Sequence, residues 1–145
     1  MALNEATKQN LRRKSAYVDQ VQYHNGVVLP SWIDLSLTEL CNRSAGHQNA
    51  CSFCPRYDSK FYPNQNLHMS LELVRKLAAE LAYLQYRGTV VLCGYGEPLL
   101  HPQLVDIVRI LRVRANCRIE IVTNGDFLNP IKIEQLTAAG IDYYV

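Results

Sequence analysis

Residues 41–54 read CNRSAGHQNACSFC, and this stretch decides how the rest of the chain is read. It holds three of the five cysteines, Cys41, Cys51 and Cys54. Two residues separate Cys51 from Cys54, a step that turns both thiols to one side of a tight loop. Nine residues separate Cys41 from Cys51, so a third thiol can arrive from the far side of that loop. No fourth cysteine lies close by in sequence. Three thiolates and an open position suit an iron–sulfur cluster with one exposed iron, or a zinc ion completed by a histidine. The segments around the loop separate the two.

Immediately upstream, residues 32–37 (WIDLSL) alternate apolar and polar side chains as a strand does, which puts the cysteine loop at a strand's C-terminal end. A polar, proline-containing connector runs on to about Met69. Ser70 then reads as a helix N-cap, with Glu72 in the first turn, where the helix dipole favours negative charge. Val74, Leu77, Ala78, Leu81 and Leu84 recur at helical spacing, and Gly88 is expected to stop that helix. Residues 89–93 (TVVLC) are a continuous apolar run, expected as a strand buried on both faces, and Gly94-Tyr95-Gly96-Glu97-Pro98 follows at once. Pro102 is expected at the first position of the next helix, whose apolar stripe is Leu104, Ile107, Val108 and Leu111. Residues 118–123 (RIEIVT) form a third strand ended by Asn124-Gly125. Asn129-Pro130 caps and opens a third helix, Gly140 ends it, and 142–145 make a fourth strand.

Residues 1–30 read as an extension. A helix over 4–22 would carry Leu11, Tyr17 and Val18 on one side, and its Arg12-Arg13-Lys14 cluster fits a solvated face better than an RNA contact. His24-Asn25-Gly26 is a turn signal, followed by a short strand at 27–29 closed by Pro30.

Strands alternating with helices predict an α/β fold with a parallel sheet and right-handed crossovers. Ligands bind such sheets beyond the strands' C-terminal ends. The cysteine loop, residues 94–97 and residues 123–125 all fall at that edge.

The totals agree. A chain of 145 residues is one domain's length and can bury roughly 68–70% of its unfolded surface. Its net charge of +2 is too near neutral to imply a nucleic-acid or acidic-membrane partner by itself, and nucleic acid is not the expected partner. Its longest apolar runs, of about five residues, fall far short of the ~20 that span a bilayer, so no membrane partner is expected. With no apolar leader visible and an odd number of cysteines, the thiols are expected to be reduced and the protein cytoplasmic.

Taken together, CSFCPR ending at Arg56, GYGEPLLHP at 94–102 and IVTNG at 121–125 resemble the radical S-adenosylmethionine (radical SAM) superfamily, over about residues 31–145. The resemblance implies a partial (β/α) barrel that stops after its fourth strand, with 1–30 as an extension and 31–145 as a partial core domain. It implies a [4Fe–4S] cluster on Cys41, Cys51 and Cys54, with S-adenosylmethionine chelating the fourth iron. An electron from the cluster would break the sulfonium S–C5′ bond, and the 5′-deoxyadenosyl radical would abstract hydrogen from a substrate. By the same resemblance Gly94, Tyr95, Gly96 and Glu97 form the methionine-ammonium site, the glycines letting backbone approach the ligand. Phe53 lies near the adenine, and Thr123 and Asn124 either support the ligand-contacting residues from behind or touch the ribose side. Flavodoxin or ferredoxin is the expected electron donor, and CSFCPR and GEPLLHP look like members that modify peptides.

Two features depart from the family pattern. The first cysteine spacing has nine residues where three are commonest, so residues 44–49 are expected to bulge into solvent. Closing the longer loop costs only ~0.8 kcal/mol, against roughly 10 kcal/mol from a metal–thiolate site. The chain also ends in its fourth strand, where the family's barrel usually has six. Rival readings are a non-catalytic iron–sulfur module, a Cys3His zinc module using His47 or His68, and an inactive fragment. Cys93 and Cys117 read as core or near-surface thiols rather than ligands, His101 as a neighbour of a helix cap, and Tyr57, Phe61 and Tyr62 as loop aromatics that pack.

Overall fold

The computed structural model describes residues 4–18 and 21–145, with backbone only at 16–18. Helix α1 (Glu5–Val18) precedes an antiparallel hairpin of β1 (Gln22–His24) and β2 (Val27–Leu29). Asn25 and Gly26 both have positive φ, 50° and 81°, as a two-residue hairpin turn needs to match the strands' twist. Strand β1 was not foreseen, because Gln22 and His24 carry no apolar alternation. Of the helix expected over 4–22, the last stretch passes through residues outside those described, as do the side chains of Tyr17 and Val18.

Next come β3 (Trp32–Ser36), α2 (Leu71–Tyr83), β4 (Thr89–Cys93), α3 (Leu104–Ala115), β5 (Arg118–Ile121), α4 (Pro130–Ala139) and β6 (Tyr143–Tyr144). Strands β3 to β6 pair in sequence order, every pair parallel. This is the expected partial (β/α) barrel. Alternate residues of each strand face opposite ways. Leu35, Val90, Leu92, Ile119 and Ile121 meet Val74, Leu81, Ile107, Leu111 and Leu136 in one buried cluster on the helix side. Trp32, Asp34, Val91, Cys93, Glu120 and Val122 face the other way and line a cavity with Arg13 and Lys14 of α1.

The caps follow the sequence. Ser70 Oγ accepts from the Leu73 N–H, Asn129 Oδ1 accepts from the Lys132 N–H, and Gly140 ends α4 in the left-handed region. Two boundaries differ from expectation. Helix α2 stops at Tyr83, and Gln85 takes φ 51°, so the reversal comes before Gly88. Gly88 serves packing instead: a Cβ there would lie 2.2 Å from the Tyr86 hydroxyl and 2.5 Å from the Ser31 carbonyl. Pro102 does not open a helix either. Pro98 opens a short 3-10 turn (Pro98–Leu100), and α3 begins only at Leu104 with Gln103 as its cap.

Gly88→Ala should therefore destabilise the chain by about 1–3 kcal/mol, the usual range for overpacking. Ser70→Ala should cost about 1 kcal/mol through the lost cap. Equilibrium urea unfolding measures both, and an unchanged midpoint for Gly88→Ala would refute the tight passage between Ser31 and Tyr86.

Candidate metal centre

The C-terminal ends of β3, β4 and β5 are joined by one buried carboxylate. Glu97 is 2% exposed. Its Oε1 accepts from the Leu99 N–H at 2.9 Å and the Thr123 hydroxyl at 2.6 Å, and its Oε2 accepts from the Asn124 N–H at 2.9 Å. Its own N–H donates to the Leu40 carbonyl at 2.8 Å, one residue before Cys41. A charged acceptor with several donors is a stable way to bury a carboxylate. Two of the three segments expected at the sheet's edge, 94–97 and 123–125, thus meet at a side chain, and the cysteine loop joins them through Leu40.

Loop residues after Cys41 are strapped to the same place. Asn124 Nδ2 donates to Asn42 Oδ1 at 2.9 Å, and Asn42 Nδ2 donates to Asp126 Oδ2 at 2.7 Å. Arg43 grips Asp126 with a fork, Nε to Oδ2 at 2.8 Å and Nη2 to Oδ1 at 2.5 Å. Asp126 above all, and the neighbouring Cys51 sulfur in smaller measure, favour the charged form of the Arg43 guanidinium. Beneath the loop, Arg56 is buried at 1% exposure and pairs with Glu39 at 2.5 Å. The Arg56 carbonyl accepts from the Ala45 N–H, and the Arg43 carbonyl accepts from the Cys51 N–H. Asn64 Oδ1 accepts from the Cys41 N–H.

The extra residues between Cys41 and Cys51 are accordingly not one free bulge. Gly46, His47, Gln48 and Asn49 are exposed, but Ser44 is 2% exposed and Ala45 is tied to Arg56.

All five cysteines are free thiols. Cys41, Cys51 and Cys54 are half-buried, and a tight turn joins the last two, the Cys54 N–H donating to the Cys51 carbonyl at 3.0 Å. Burial pushes the Cys41 thiol up, while the Arg43 N–H, 3.4 Å from Sγ, and the Arg56 charge pull it down. Among the described residues no three His, Cys, Asp or Glu side chains converge as a single metal ion would need. A cuboidal iron–sulfur cluster asks for something else, one thiolate per iron on separate corners. Three free thiols on one braced loop, with Arg43 and Arg56 beside them to offset thiolate charge, fit such a group. Cys93 and Cys117 lie apart from the loop, and burial pushes them up to about 12 and about 11.

The other predicted residues fall as follows. At Gly94 (φ 117°) a Cβ would lie 2.4 Å from Ser36 Oγ, and at Gly96 it would lie 1.9 Å from the Thr38 carbonyl. These glycines are required by the close passage of the chain after β3, a different reason from the ligand approach inferred from sequence. Tyr95 is half-exposed, its ring 5.0 Å from that of Tyr62. Phe53 is 90% exposed at the loop tip. His101 is buried, its Nε2–H donating to the Met69 carbonyl and its Nδ1 accepting from the Gln103 N–H, and burial lowers its pKa. That single tautomer makes it a brace for the start of α3.

Sequence reasoning missed Asn42, Arg43, Arg56 and Asp126. The available signal was local: Asn42 and Arg43 directly after the candidate ligand Cys41, Arg56 two residues after Cys54, and Asp126 directly after the Asn124-Gly125 turn.

The sequence model of the Radical SAM superfamily matches residues 35–145. The S-adenosyl-L-methionine-dependent 2-deoxy-scyllo-inosamine dehydrogenase of Niallia circulans is 31% identical over 116 residues, 79% of this chain and 43% of that protein. The PqqA peptide cyclase of Gluconobacter oxydans is 39% identical over 70 residues, 48% of this chain and 18% of that one. The crystal structure of BtrN in complex with AdoMet and 2-DOIA superposes with a TM-score of 0.71 at 31% identity, covering 80% of this chain and 44% of that one. The chain thus spans less than half the length of these proteins. Among the described residues no helix is long and apolar enough to cross a membrane.

The Arg43–Asp126 fork makes a direct test. Asp126→Ala should leave the sheet intact and raise amide exchange at Ala45 and Cys51 about tenfold, a local opening rather than global unfolding. Arg43's hydrogen bonds, the largest influence, hold Asp126 below the usual carboxylate range. A depressed folded value means the fork's contribution is complete above the ordinary pKa of about 3.9 and lost only as pH falls through the lower, folded value. Exchange at Ala45 that ignores Asp126→Ala would show the loop closes without the strap.

Proposed function

Because the chain belongs to the radical SAM superfamily, whose cofactors are a [4Fe–4S] cluster and S-adenosylmethionine, we propose that it binds both and uses them to abstract hydrogen from a substrate. The observation that carries this reading is the cysteine loop itself: three free thiols braced by Arg43, Arg56 and Asn42 against the ends of β4 and β5. Cys41, Cys51 and Cys54 would hold the cluster. When bound, the cluster supplies the electron that cleaves S-adenosylmethionine at its S–C5′ bond.

The remaining roles belong to this chain's own groups. Main-chain carbonyls of Gly94 to Glu97 would accept from the methionine ammonium. The Glu97 carboxylate would act through position, since two of its three donors fix the Gly94–Glu97 segment to Thr123 and Asn124 and the third, the Leu99 N–H, closes its own turn. Thr123 and Asn124 would line the ribose side. Phe53 offers an exposed aromatic face to the adenine, and Tyr95 borders the same mouth. Residues 31–145 act as the core and 1–30 as an extension. A flavodoxin or ferredoxin would deliver the electron in the cytoplasm, where five free thiols persist. A peptide is the proposed substrate class, supported by the peptide cyclase among the relatives.

Anaerobic reconstitution should give a brown protein with about four irons per chain. Cys41→Ala, Cys51→Ala and Cys54→Ala should each abolish the cluster, and Cys93→Ala and Cys117→Ala should not. Zinc in place of iron and sulfide, or full iron in Cys41→Ala, would reject the assignment. Formation of 5′-deoxyadenosine from S-adenosylmethionine under reduction tests the enzyme reading separately.

Removing residues 46–49 should keep iron near four, because that part is solvated. Removing 44–49 should lose it, because Ser44 is buried and Ala45 bonds Arg56. Equal iron content in both deletions would count against the bracing role of Ser44 and Ala45.

A further inference from the structure

The sheet face turned away from α2, α3 and α4 carries a cavity of about 490 Å³, lined from β3, β4 and β5 and from α1. That is the size of an ordinary small-molecule site. At its wall the Glu120 side chain is 1% exposed. Arg13 Nη1 stands 3.3 Å from Oε2 and Arg118 Nε stands 3.1 Å from Oε1. Neither contact is directed as a hydrogen bond. Among the described residues both Glu120 oxygens, and Arg13 Nε and Nη1, therefore have no hydrogen-bond partner. A buried carboxylate left in this state is costly unless a better-placed donor can reach it. Arg13 also lies over the Tyr143 ring, 5.6 Å from its centroid.

The charges divide unevenly between the two walls. The sheet contributes the carboxylates of Asp34 and Glu120 against the single guanidinium of Arg118, while α1 contributes Arg13 and Lys14. The sheet's own side is thus anionic with an aromatic wall, and α1 supplies the compensating cations. Of the described side chains of α1, only Arg13 is drawn out of solvent. Its contact with the sheet face rests on one imperfect ion pair and one cation–π contact, the second worth about 0.5–2 kcal/mol.

We propose that this cavity is a recognition site for an organic cation, a guanidinium or protonated amine, and that Arg13 occupies the position such a group takes. A ligand free to approach Glu120 along its lone pairs can make the directed bonds that Arg13, fixed to a helix, does not. Arg13 then acts as an internal competitor, lowering apparent affinity by the fraction of time it fills the site. Identifying the ligand with substrate rests on the function proposed above. The binding step does not, and it is measured without cluster or S-adenosylmethionine.

Trp32 is the only tryptophan and lines the cavity, so its fluorescence reports occupancy. L-Argininamide is the probe, with neutral L-citrullinamide and inorganic phosphate as controls. Arg13→Ala should bind L-argininamide about tenfold more tightly than the unsubstituted chain. Adding Glu120→Gln or Asp34→Asn should each reverse that gain, with folding verified by circular dichroism. The two carboxylate variants guard against one of them failing to fold. Equal affinity for L-citrullinamide, binding of phosphate instead, or no tightening in Arg13→Ala would overturn the proposal. Charge-selective, Glu120-dependent binding by a chain that never forms 5′-deoxyadenosine would uphold the site while removing the radical-enzyme reading.

Discussion

A carboxylate at 2% exposure with three donors turned onto it, Glu97, is the constraint on which the site edge depends. Desolvating a carboxylate is expensive, and only a full set of directed donors offsets it. Those donors come from two different strand ends, so the carboxylate can be buried only when β4 and β5 finish side by side. Its backbone N–H adds the segment after β3 through Leu40. The parallel register of the sheet and the geometry of the cysteine loop are in this way two views of one requirement.

Close backbone passage serves the same end. Gly94 and Gly96 stand against Ser36 and Thr38 with no space for a side chain. The β4 turn can therefore lie directly on the chain leaving β3, which delivers Cys41. Arg56 plays a comparable part from below: a buried guanidinium takes Glu39 and the Pro63 carbonyl as partners, and its own carbonyl holds Ala45.

Much of this architecture was legible in the residues. Strands of continuous or alternating apolar character, the caps at Ser70 and Asn129 and the left-handed end at Gly140 depend on local chemistry, and each stands where that chemistry put it. The end of α2 was not legible, since Gln85 takes a left-handed conformation that its side chain does not advertise and Gly88 was needed for packing against Ser31. Likewise the site's cysteines are a spacing pattern, visible in one dimension. The partners that hold them are Asn42 with Asn124 and Arg43 with Asp126, more than eighty residues apart, and no periodicity encodes such pairs. The placement of α1 was equally hidden, because it depends on an ion pair with a glutamate that a strand reading counts only as an outward polar residue.

The Arg43–Asp126 fork also has a consequence for the order of events during synthesis. The ribosome releases Cys54 72 residues before Asp126. At roughly 5–20 residues per second, the loop is out for about 4–14 s before its strap exists. Throughout that interval the three thiols are on a segment held only by its own local bonds, such as Arg56 to Glu39 and Asn64 to the Cys41 N–H, and not yet tied to the sheet edge through Asp126. Strapping the loop to the sheet is therefore the last local step on this edge, and cofactor delivery belongs after β5 has emerged rather than alongside the cysteines themselves.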